Sequence, residues 1–111
     1  MATAIKMKFE GENYDLEYSR DAVAEIERHG FNIQEIDTKP ATMVPLLFEG
    51  AFIKNHRGIK RKLMDRIFDQ IKGKRLFLET LSNMYVETVN SLFDDAEEDS
   101  ENLGNAEWTK G

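Results

Sequence analysis

The run Met43-Val-Pro-Leu-Leu-Phe-Glu-Gly-Ala-Phe-Ile53 constrains this chain more than any other stretch. Only Pro45, Glu49 and Gly50 interrupt it, and it turns abruptly basic from Lys54 onward. A helix that is apolar on nearly every side must be covered on nearly every side, by its own domain or by a partner. The middle of the chain is therefore core or interface rather than a catalytic loop. Pro40 and Pro45 bear on where this helix begins. With Thr42 as N-cap, Pro45 falls in the first turn, where a missing N–H costs little. The expected span is 42–56, closed by Asn55-His56-Arg57-Gly58.

Upstream, Ile5, Met7 and Phe9 alternate with polar residues, as do Tyr14, Leu16 and Tyr18, around Glu10-Gly11-Glu12-Asn13. Period-two alternation on both sides of a turn reads as a β-hairpin with one buried face. An isolated hairpin is marginal in water, so an apolar surface must cover it. Ser19 suits the N-cap of a short helix with Asp21 in its first turn, and Val23 and Ile26 form its apolar face. Gly30 suits the left-handed position that ends such a helix, with Phe31 packing back on it. Phe31, Ile33 and Ile36 pin the connector 31–39.

Downstream, Ile59, Leu63, Ile67 and Ile71 recur every four residues, and Met64 and Phe68 widen the stripe, giving a helix over 59–72. Gly73 separates it from a helix over 74–93 with Leu78, Leu81, Tyr85, Val89 and Leu92 on one face. Leu76, Phe77, Met84, Val86 and Phe93 make that helix apolar elsewhere too, as if buried on two sides. From Asp94 the high charge and scarcity of apolar residues predict a disordered acidic tail. The expected architecture is α+β: one domain over 1–93, with an N-terminal hairpin packed against about four helices, then the tail 94–111.

The net charge of −6 conceals a segregation. Residues 54–75 hold nine basic and two acidic side chains, whereas 94–111 hold seven acids against Lys110. This pattern favours polar association within the chain or with a partner. The basic cluster Lys54, Arg57, Lys60, Arg61 and Lys62 is a candidate steering site for an acidic partner. The acidic tail is a second candidate to cover it. Nucleic acid is disfavoured, because no aromatic interleaves with Lys54–Lys62 and the acidic remainder repels phosphate. Trp108 is a candidate anchor in the polar tail.

With no cysteine, there is neither a disulfide framework nor a thiolate ligand. His29 and His56 have no second ligand at metal spacing, and the glycines form no phosphate-binding pattern. The serines lack an elbow context. No catalysis, cofactor or metal is expected. No apolar run reaches the length of a membrane span and no signal segment opens the chain, so a soluble intracellular protein is expected.

Several passages resemble the small tail assembly chaperones of long-tailed phages and prophages of Gram-positive bacteria. They are the opening hairpin with Ser19-Arg20-Asp21, the segment Lys39–Phe48 with Gly50–Lys54, the segment Tyr85–Leu92, and Gly104-Asn105-Ala106-Glu107-Trp108. The resemblance implies a non-catalytic, helix-rich protein of the host cytoplasm, absent from the finished virion. The implied partners are the tape-measure protein and tail-tube subunits. On this reading Leu46, Leu47, Phe48, Phe52 and Ile53 form the central core or interface helix, with the basic cluster for steering and Trp108 as accessory. The alternatives are a small nucleic-acid-binding regulator using helix 59–72 and a structural homo-oligomer closed around the fourth helix.

Overall fold

The computed structural model describes residues 4–94 and 109–110; the expected acidic tail, with Trp108, lies outside the described residues apart from Asp94, Thr109 and Lys110. The hairpin forms as the alternation predicts. Strands β1 (Ile5–Phe9) and β2 (Glu12–Leu16) pair antiparallel, with Ile5 opposite Leu16 and Phe9 opposite Glu12. The turn is the two residues Glu10-Gly11, both at positive φ, which matches the right-handed twist of the strands. Tyr14, Leu16 and Tyr18 are buried, and Ile5, Met7 and Phe9 pack at the core margin.

Helix α1 (Arg20–Arg28) starts where Ser19 Oγ accepts the Ala22 N–H at 3.1 Å. It ends in a glycine-centred pair of hydrogen bonds. Gly30 at φ +101° lets its own N–H reach the Glu27 carbonyl while the Phe31 N–H reaches the Ile26 carbonyl. Phe31 is buried by this reversal, against the Tyr85 ring at 4.9 Å. A single 3-10 turn at Ile33–Glu35 then leads to α2 (Pro40–His56).

Helix α2 corrects the expected start. Pro40, not Pro45, occupies the first helical position, where its fixed φ is preorganised and no N–H is required. Pro45 therefore lies inside the helix, and the Ala41 carbonyl loses its intrahelical donor. Gly58 at φ +98° closes the connection to α3 (Arg61–Gln70), which is shorter than the expected 59–72. Lys60 and Ile71 are both extended, so Ile59 and Ile71 contribute apolar contact from outside the helix. Lys74 Nζ donates to the Asp69 and Ile71 carbonyls, satisfying acceptors at the end of α3.

Helix α4 (Lys74–Asn90) stops short of residue 93. Leu81, Met84 and Tyr85 are its buried residues, with Phe77, Leu78 and Val89 at the core margin. Two expectations for this helix are overturned. Leu92 lies past its end and is exposed, and the second apolar side is only partly covered: Met84 is buried and Phe77 packs at the margin, but Leu76, Val86 and Phe93 face solvent. Arg20 joins α1 to the end of α4, donating to Ser91 Oγ and to its carbonyl.

The two halves of α2 have different surroundings. Its C-terminal half caps the open edge of β2. The Asp15 N–H donates to His56 Nε2 at 2.9 Å, Asn55 Nδ2 donates to the Asp15 carbonyl at 3.0 Å, and the Glu17 N–H donates to the Ala51 carbonyl at 3.1 Å. A strand edge otherwise presents unpaired backbone groups to any passing chain, and here the helix satisfies them. Gly50 sets the approach of α1. A Cβ there would lie 3.0 Å from Ile26 Cδ1 and 3.2 Å from Tyr18 Cε1.

Candidate functional site

Burial sorts the five apolar residues proposed for α2. Leu47, Phe48, Phe52 and Ile53 are buried in the chain's own core, so of the two roles expected for them, core or interface, these four side chains take the first within the single chain. Leu46 is half-buried and packs at the margin. Phe48 is the hub of an aromatic cluster, edge-on to Phe52 at 4.9 Å, Phe68 at 5.3 Å and Phe77 at 5.8 Å. Leu47 supports the other side of the helix, where the Tyr18 hydroxyl donates to its carbonyl at 2.5 Å. Burial pushes the Tyr18 phenol well above its ordinary pKa, with the neighbouring Tyr85 adding to the shift. Tyr85 is pushed up to about 12 by burial and by the Glu27 carboxylate that accepts its hydroxyl.

The basic cluster is divided among acids of the same chain. Lys54 pairs with Glu17 at 3.0 Å, Arg57 with Glu25 at 3.2 Å, and Arg61 with Asp65 at 3.4 Å. Arg66 pairs with Glu10 at the hairpin turn and lies over the Phe9 ring. Among the described residues, Lys60 and Lys62 have no such ion pair. Three of the five cations are thus engaged by acids of the same chain. Lys54 instead helps to dock β2 on α2: Asn55 and Lys54 both donate to the Glu17 carboxylate, and they hold its pKa below the ordinary value in that order of importance. Exposed pairs of this kind contribute about 0–1 kcal/mol each, so they orient more than they stabilise.

The open surface lies along the N-terminal half of α2. Between α2 and α3 runs a groove of about 300 Å³ with an apolar floor of Val44, Pro45, Phe48, Met64 and Phe68. Its polar rim is Glu49, Arg61, Asp65 and Asp69. Because the Arg61 guanidinium lies on Asp65, the rim carries a net negative charge. Lys74 Nζ sits 5.6 Å from the Phe68 ring. On the other flank, Ile36, Pro40, Val44 and Leu78 line a second groove between α2 and α4, ringed by Asp37, Lys74, Arg75 and Glu79. The chain's sequence identifies Met64 and Phe68 as helix-face residues, but nothing in it brings the acids Glu49, Asp65 and Asp69 together. They come from two helices whose crossing only the tertiary packing defines.

Among the described residues, no group of three or more His, Asp or Glu side chains converges as a metal site would. No helix among them is long and apolar enough to cross a membrane. His56 is held inside the fold, accepting from the Asp15 N–H and touching the Tyr14 ring at 5.1 Å.

The architecture is that of a small α+β domain with an apolar, acid-rimmed groove between α2 and α3. The chain belongs to the family described as Domain of unknown function (DUF5055), whose model matches residues 1–111. No curated protein and no solved structure matches it.

Proposed function

We propose that this protein is a non-catalytic assembly chaperone for phage tails, binding the tape-measure protein or tail-tube subunits during tail morphogenesis in the host cytoplasm. The observation that carries the reading is the uneven covering of α2. Its C-terminal half is sealed by the hairpin, while its N-terminal half is flanked by two open grooves that share Val44. An apolar helix exposed in this graded way suits reversible binding of apolar segments that would otherwise aggregate. The sequence resemblance supplies the identity of the partners, and it spans the passages on both sides of this helix.

Co-expression with a tape-measure protein encoded beside this gene tests the reading. The expected result is a soluble complex with many copies of this chain per long partner. An insoluble long protein, with this chain eluting alone, would refute it.

A further inference from the structure

We infer that the α2–α3 groove is the docking site for a helical segment that carries basic residues on either side of a short apolar stripe. The inference rests on the chaperone reading for its biological setting, but the site and its ligand chemistry stand on the groove itself.

The floor comes first. Val44, Pro45, Phe48, Met64 and Phe68 form an apolar trough about 300 Å³ in volume, open along one side. That suits a few large side chains from one face of a helix, spaced at i, i+3, i+4 and i+7. Met64 gives the floor an adaptable, polarisable side chain, the kind found where one groove accepts several related sequences. Phe48 and Phe68 stand edge-on at 5.3 Å and supply rigid walls.

The rim chooses the partner. Glu49 stands on the α2 side and Asp65 and Asp69 on the α3 side, opposed in the lining by Arg61, whose guanidinium lies on Asp65. Lys74, beyond Phe68, donates its ammonium to the Asp69 and Ile71 carbonyls, so three carboxylates still exceed the cations near them. A helix seated between these walls places its flanking residues against both sides, so Lys or Arg there meet acids and Glu or Asp meet like charge. Complementarity of this sort sets specificity and association rate more than raw affinity. The partner chemistry is thus the reverse of what the basic cluster in the sequence suggests. An acidic partner fits the cations, but most of those are occupied by acids of the same chain.

Helix α3 fits this role for a further reason. Only Met64 and Ile67 of its residues are buried, fewer than in any other α-helix among the described residues. Elements held by few buried contacts are those that shift most readily when a ligand enters.

The test uses the full chain and two synthetic peptides of roughly 18 residues, about five helical turns. Both carry leucines at i, i+4 and i+7; one flanks them with Lys and Arg, the other with Glu. Fluorescence anisotropy reads affinity, and the ¹³C-methyl signals of Met43, Met64 and Met84 locate the site. The basic-flanked peptide is expected to bind and to move Met64 most. The acidic twin is expected to bind about tenfold more weakly or not at all. The double variant Glu49→Lys/Asp69→Lys, on the rim, is expected to keep its thermal midpoint and to reverse the preference. Equal binding of both peptides, an unchanged preference in the variant, or shifts that bypass Met64 would overturn the inference. Failure here is separable from failure of the chaperone reading. A long partner that co-purifies equally with wild type and the rim variant would sink the groove and leave the chaperone. Peptide binding at Met64 without co-purification of the long partner would do the opposite.

Discussion

Gly50→Ala is expected to destabilise the protein even though alanine is the better helix former. In an exposed helix interior the exchange would gain about 1 kcal/mol from propensity. At Gly50 the new methyl lands 3.0 and 3.1 Å from Ile26 Cδ1 and Cγ2, and 3.2 Å from Tyr18 Cε1. Neither neighbour can retreat easily: Ile26 is fully buried, and Tyr18 is fixed through its hydroxyl to the Leu47 carbonyl. Overpacking of a rigid core costs about 1–3 kcal/mol, so the net expectation is a loss of about 1 kcal/mol. The Ile26→Val background isolates the cause, because it deletes the Cδ1 atom that meets the new methyl most closely. Ile26→Val alone costs about 0.5–1.5 kcal/mol. In that background one of the three tight contacts is gone while Cγ2 and Tyr18 Cε1 remain, so Gly50→Ala is expected to cost less than in the wild type, giving a coupling of about 0.5 kcal/mol in a double-mutant cycle. Urea unfolding followed by far-UV circular dichroism measures all four corners. If Gly50→Ala stabilises equally in both backgrounds, α1 and α2 do not approach as closely as described, and the steric reasoning fails.

Four other expectations follow from the same contacts. Asn55→Ala removes donors to the Asp15 carbonyl and the Glu17 carboxylate and is expected to cost about 1–2 kcal/mol in urea unfolding; no loss would mean that water replaces the edge cap. Glu17 has a folded pKa below its unfolded value, so its stabilisation is complete above the ordinary carboxylate range and is lost as pH falls through the folded value. Glu17→Gln should accordingly flatten the acid limb of a stability-versus-pH curve, and an unaltered limb would contradict the assignment. Tyr85, raised to about 12, favours the folded state while neutral; its contribution is whole below about 10, the unfolded value, and drains away between there and about 12. Tyr85→Phe should lessen alkaline destabilisation in that window, seen by circular dichroism at graded pH. Leu76→Ser and Phe93→Ser are expected to change stability by no more than about 0.5 kcal/mol, since both side chains face solvent; a large loss would place them in the core.

Much of the fold is legible in the sequence because local signals there are unambiguous. Ser19 and Gly30 bracket α1 with side-chain and backbone chemistry that has few alternatives. The alternation on either side of Glu10-Gly11 leaves the hairpin one register, since a one-residue slip would turn Tyr14 and Leu16 outward. The start of α2 is less legible, because Pro40 and Pro45 each suit a first turn and only the packed helix shows which takes it. The far end of α4 misleads for a related reason. Leu92 continues the apolar spacing, but the helix ends at Asn90 and Leu92 points away from the core.

The site was less legible than the fold. Helix α2 is apolar all round, so its pattern holds no information about which side meets the domain and which meets a partner. Leu47 and Phe52 are fully buried, Phe52 against the Tyr14 ring of the hairpin and Leu47 where the Tyr18 hydroxyl reaches its carbonyl, which is a tertiary outcome. The basic cluster is conspicuous in one dimension and partly neutralised in three: Glu10, Glu17 and Glu25, distant in sequence, each take one of its cations or their neighbours. The acidic rim has the opposite history, inconspicuous as Glu49, Asp65 and Asp69 in the chain and contiguous once α2 and α3 pack.

Amide hydrogen exchange on this chain, alone and in complex with its co-expressed long partner, tests the central claim most directly. The account predicts added protection over 40–49 and 61–70, where the groove lies, with little change over 12–16 in β2, already sealed by α2. Protection confined to the exposed side of α4 around Leu76 and Phe93, or absent throughout, would contradict it.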